Sequence, residues 1–144
     1  MRKALLLSLL LLAGCAKHPP AGKWEGGYAS DGTIVVARVE IGDDGLVKLS
    51  APDITNLEGA KPEALLNERA RLQSELVNGW EGVAPRKLDF DGKTFRNPGG
   101  HAPQMVWDKD TGQMTLEIFI GAKQALPVVL RPVPGFHDDP FGAG

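Results

Sequence analysis

The sequence predicts a mainly β domain with one inserted helix: an antiparallel meander of about eight strands, closed into a small barrel or folded as a sandwich. Three observations carry that expectation. Apolar and polar residues alternate in short runs, as in Val35, Ala37, Val39 and Ile41 and again in Met114, Leu116, Ile118 and Ile120, the period of a strand buried on one side. Asp31-Gly32, Asp43-Asp44-Gly45, Asp91-Gly92 and Asp108-Lys-Asp-Thr-Gly112 punctuate the runs with the residues that tight turns demand. One stretch departs: Leu65, Leu72 and Leu76 fall in line at 3.6 residues per turn.

In order along the chain, Trp24, Gly26 and Tyr28 share one face of the first strand, and Asp31-Gly32 turns it into the second, Val35 to Ile41. A short third strand, Leu46 to Leu49, stops before Pro52. Pro62 followed by Glu63 suits a first helical turn, where a missing N–H costs nothing and a carboxylate meets the positive end of the dipole. The helix is expected over about residues 62 to 78, with Leu66, Ala70 and Val77 widening its apolar stripe and Gly79 ending it. Its mixed polar face predicts packing across an open end or face of the sheet. Strands resume at Lys87 to Phe90, Thr94 to Arg96, Met105 to Trp107, Met114 to Ile120 and Leu126 to Leu130. Pro127 places the last at an edge or near its own start.

The two ends have a different character. Met1-Arg2-Lys3 and the apolar block Ala4 to Leu12 have the layout of an export signal, and that block falls far short of the roughly 20 residues that span a bilayer. Leu12-Ala13-Gly14-Cys15 resembles the lipobox of bacterial lipoproteins. The resemblance implies cleavage before Cys15, a diacylglyceryl group on its thiol and a further acyl chain, such as palmitate, on the new amino terminus. Several chains hold a protein at a membrane stably where one does so only marginally. Cys15 is the sole cysteine, so no internal disulfide competes for it. Ala16 is similar to the residue after the cysteine in lipoproteins sorted to the outer membrane of Gram-negative cells, facing the periplasm. The expected organisation is a signal over 1–14, a tether over 15–21, the β domain over 22–134 and a flexible Gly- and Pro-containing tail over 135–144.

Catalytic and metal-binding patterns are missing from the sequence. G-x-S-x-G, H-E-x-x-H and phosphate-binding glycine loops do not occur. Past the signal the serines are Ser30, Ser50 and Ser74, with Ser74 on the exposed side of the helix. His18, His101 and His137 share no spacing one ion could use, and His137-Asp138-Asp139 reads as part of the tail. Asp108-Lys-Asp-Thr-Gly112 has its glycine one position early for a calcium loop and Phe119 where the bidentate Glu belongs. The pairs Asp43 with Asp44 and Asp89 with Asp91 sit in or beside turns, where solvent keeps them ionised. The expectation is no enzyme, no cofactor and no metal. Losing Arg2 and Lys3 with the signal leaves fourteen basic against eighteen acidic side chains, which excludes nucleic acid as a favoured partner.

Gly22-Lys23-Trp24 resembles the G-x-W motif of lipocalins and the wider calycin group. The resemblance implies a barrel with Trp24 closing one end and Arg131 lying across it. The runs Gly22 to Gly26, Ser50-Ala-Pro-Asp53 and Pro127 to Arg131 are also similar to small β-domains that precede the catalytic domain of some exported hydrolases. Together these readings make Trp24, Tyr28, Trp107 and Arg131 the candidate ligand-binding residues. The expected function is a membrane-anchored, non-catalytic binding domain for a small apolar ligand. The alternative is a structural or assembly lipoprotein that contacts another envelope protein.

Overall fold

The computed structural model describes residues 19–52, 54–99, 104–120 and 124–141. The export signal, the lipobox with Cys15, and His18 and His101 lie outside the described residues. Among those described, no helix is long and apolar enough to cross a membrane.

Over the described residues the protein is mainly β, with nine antiparallel strands in one sheet curled into a half-barrel and a single inserted helix. The strands are β1 (Gly22–Ser30), β2 (Thr33–Ile41), β3 (Val47–Ser50), β4 (Thr55–Asn56), β5 (Asp89–Phe90), β6 (Thr94–Arg96), β7 (Gln104–Trp107), β8 (Met114–Ile120) and β9 (Gln124–Val133). Helix α1 (Pro62–Gly79) follows β4. The sheet runs β3-β2-β1-β9-β8-β7-β6-β5, with β4 on the far end of β2. An isolated bridge ties the edge strand β3 to the stretch ahead of β5: Val47 N–H donates to the Arg86 carbonyl at 2.8 Å and Arg86 N–H to the Val47 carbonyl at 2.9 Å.

The turns behave as their chemistry requires. Asp31 and Gly32 both have positive φ, 50° and 76°, which a two-residue hairpin turn needs in order to match strand twist, and Ser30 pairs with Thr33. The ninth strand, the two-residue β4, had no signal in the sequence, since two polar residues make no pattern. β9 is longer than expected and lies between β1 and β8, so Pro127 is not on an edge strand but near the start of its own, the fourth residue of ten. Pro127 pairs with Glu117 of β8 where no β1 partner runs alongside, and Pro132 pairs with Trp24 of β1 beyond the β8 ladder. Each proline therefore sits where one ladder is missing and its lost N–H breaks no bond.

The concave face holds the core: Trp24, Val35, Ala37, Val39, Ile41, Val47, Phe95, Met105, Met114, Leu116, Val128 and Leu130, all buried. β2 is not buried on one side only, as its alternation predicts. Its outward Ile34 and Val36 pack beneath Leu72 and Leu76 of α1, so the helix caps the convex face of the β1–β2 end. Burying Leu72 and Leu76 contributes about 1.5–3 kcal/mol each. The predicted stripe was too wide: Ala70 is exposed and Leu66 is 66 % exposed. Gly79 is the last residue of α1, but not as a left-handed cap: its φ is −83° and the chain continues as a 3-10 turn over Trp80–Gly82.

Candidate functional site

The sequence-selected residues divide between the two faces of the sheet. Trp24 sits at the end of the half-barrel where β1 begins, 4 % exposed, and its indole Nε1 donates to the Gly112 carbonyl in the β7–β8 turn at 2.9 Å. Its ring covers that end of the core. Arg131 does not lie across it: strand alternation puts Arg131 on the convex face, exposed and paired with Glu25, while Pro132 faces Trp24. Tyr28 and Trp107 are half-buried and pack against the same core cluster, with Trp107 centred 6.4 Å from Phe90. The three aromatics are thus core residues, and Arg131 is separated from them by the sheet.

The convex face carries an arrangement that the sequence reading passed over. Glu25 is fully buried and Arg38, its partner across the β1–β2 ladder, is 5 % exposed. Charged side chains are almost never buried unless paired, so what covers them matters. The cover is the segment 134–141. The expected flexible tail instead lies, over its described residues 135–141, against β1, β2 and α1. His137 N–H donates to Glu25 Oε2 at 2.9 Å, and the His137 ring Nδ1 meets Glu25 Oε1. Arg38 Nη2 donates to the His137 carbonyl at 2.8 Å, whereas Arg38 Nε has no partner among the described residues. Burial pulls the Arg38 guanidinium below its ordinary pKa, while Glu25 and Asp138 push it back up. Phe136 meets Trp80 edge-on, with centroids 4.8 Å apart, and takes the Arg38 and Lys23 cations at 4.9 and 5.4 Å from its ring centre.

Further along the segment, Asp139 accepts from Arg69 Nη2 at 2.9 and 3.1 Å and from Gln73 Nε2 at 2.7 Å. Pro140 is buried, and Arg69 stacks 3.9 Å from the Phe141 ring centre. Phe141 fits because residue 27 is glycine: a Cβ there would lie 2.5 Å from the ring. Beside Phe141 the surface opens into an apolar groove of about 420 Å³ between α1 and the β1–β2 turn, lined by Ala29, Ile34, Pro62, Leu65, Leu66 and Arg69 among others.

The comparisons with known proteins found nothing. No protein-family model, curated protein or solved structure matches this chain. What the site does must be argued from its own chemistry. A carboxylate behind an imidazole can orient a catalytic base, but among the described residues no hydroxyl bonds to the His137 ring. Ser30 is exposed in the β1–β2 hairpin and Ser74 accepts from Asn78 on the helix. Among the described residues no group of three or more His, Cys, Asp or Glu could hold a metal. The Glu25 carboxylate instead holds a peptide segment by its backbone and its histidine. The sequence offered one usable signal for it: a two-residue turn at Asp31-Gly32 places Glu25 opposite Arg38.

Proposed function

We propose that this protein is a lipid-anchored envelope lipoprotein, attached through Cys15, whose half-barrel is a non-catalytic binding module that docks a segment of another envelope protein. The observation that carries the binding part is where apolar surface is free. The concave face is filled by its own side chains, down to Val35, Val39, Leu116 and Leu130 with no exposure at all, while the open apolar groove and the exposed Leu66 lie outside, beside α1. That distribution favours a protein contact over a small ligand inside the barrel.

The anchor argues the same way. Pro19 packs near Gly45 in the β2–β3 turn, so the tether leaves from the end where β1 begins. The groove lies at the other end of β1, nine residues or about 30 Å away, beyond the reach of the protein's own bilayer through so short a tether. An outer-membrane protein held in this way would present the groove to the periplasm.

Two measurements in the native host test the reading. Cys15→Ser is expected to lose both the acyl mass and membrane fractionation; if neither changes, the anchor is wrong. A photo-crosslinking residue at position 66 is expected to give one protein adduct that Leu65→Glu suppresses, with none from position 110 near the anchored end. A small molecule that co-purifies with the domain in native mass spectrometry, with no adduct at 66, would replace this reading by the small-ligand one.

A further inference from the structure

Resting on the outer groove as a docking surface, we infer that the C-terminal segment is a ligand held in cis, and that the partner is an extended peptide with a carboxylate two residues ahead of an aromatic ring. The protein's own Asp139-Pro140-Phe141 has that pattern, and it is seated on the same face of α1 that borders the open groove.

The contacts are those of peptide recognition. Among the described residues, 134–141 add no strand to the sheet. The segment is held at separable points: Glu25 takes a backbone N–H and an imidazole, Arg69 and Gln73 take a carboxylate, and the slot over Gly27 takes a ring. Arg69 is common to both halves of the surface, since it grips Asp139, covers Phe141 and lines the groove. A partner carboxylate and ring complement Arg69 and the Gly27 slot in charge and shape, and must displace the segment to reach them. Displacement uncovers Glu25, which takes both hydrogen bonds it receives in the structure from His137 and is therefore ready to accept an incoming N–H. The segment consequently lowers the apparent affinity for the partner by the fraction of time it occupies the site.

The test uses the full chain in detergent and a labelled synthetic peptide with the sequence of residues 135–144. The double variant Asp139→Ala/Phe141→Ala, which weakens the cis contact, is expected to bind the peptide at least about tenfold more tightly than wild type, and adding Arg69→Ala is expected to abolish the gain. A peptide with Asn and Ala at the positions of Asp139 and Phe141 is expected not to bind. A variant that still melts cooperatively yet binds no tighter than wild type overturns the inference, as does equal binding of the altered peptide. Should the variant fail to fold, hydrogen exchange decides in wild type: excess peptide is expected to expose the His137 amide, and unchanged protection overturns the inference. A crosslink at position 66 that forms equally in wild type and the double variant leaves the docking surface standing and removes only the gating by the segment.

Discussion

Glu25→Gln tests the element on which the convex face depends. The side chain keeps its shape but loses its charge. Its remaining carbonyl oxygen can still accept the His137 N–H, now 2.9 Å from the carboxylate, while its NH2 is turned toward the His137 ring nitrogen or Arg38. A hydrogen bond to a charged acceptor contributes about 1.5–3 kcal/mol, and Glu25 is fully buried, so solvent does not compensate. We expect a loss of about 2 kcal/mol, which for a domain of this size lowers Tm by about 7 °C. Because the segment over Glu25 opens more easily than the core, amide exchange at His137 should accelerate by about 30-fold. Exchange at Val39 in the core should follow only the global change. Arg131→Gln is the control. It faces Glu25 across the β1–β9 ladder but is exposed, and should cost less than about 0.5 kcal/mol. Thermal melts at neutral pH and amide exchange by NMR are sufficient. If Glu25→Gln melts within about 1 °C of wild type with His137 equally protected, a buried carboxylate holding the segment is refuted.

Two further outcomes follow from other parts of the structure. At Gly26 an added Cβ would sit 2.3 Å from the Val129 carbonyl oxygen, so Gly26→Ala must push β1 and β9 apart and should lower stability by about 1–3 kcal/mol in urea unfolding; unchanged midpoints would contradict the close approach. Glu68 is held at about 2, below its ordinary 4.5, by hydrogen bonds first from Arg71 and then from the Thr55 hydroxyl. A depressed carboxylate contributes stability that is complete above 4.5 and is lost as pH falls toward 2. Glu68→Gln should flatten the dependence of the urea midpoint on pH in that window. Asp91 and Asp108, each lowered first by a backbone N–H, act in the same direction and leave part of the slope in place.

The architecture was legible where the pattern is local. Alternation in β2 and β8, the Asp-Gly turns and the 3.6-residue spacing of Leu65, Leu72 and Leu76 are properties of neighbouring residues, and they determined a β meander with one inserted helix. They also placed Trp24 and Tyr28 on one face of β1, the face that the core occupies. Leu66 was misread because a helix pattern says which residues share a stripe, not how much of that stripe a partner covers. The convex-face site was invisible for a related reason. Glu25 and Arg38 stand at outward positions of alternating strands, where charge ordinarily means solvent, and only the return of residues 134–141 across the sheet buries them. That return rests on contacts more than 50 residues apart in the chain, such as Arg69 with Asp139 and Glu25 with His137, and no period in the sequence records them. The chain by itself thus determined its strands apart from β4, its turns and which side of each longer strand faces the core. Tertiary packing alone decided that the concave face is full, that the convex face is occupied by the C-terminal segment and that a groove stays open beside it, because burial depends on which surfaces meet and not on the residues that bear them.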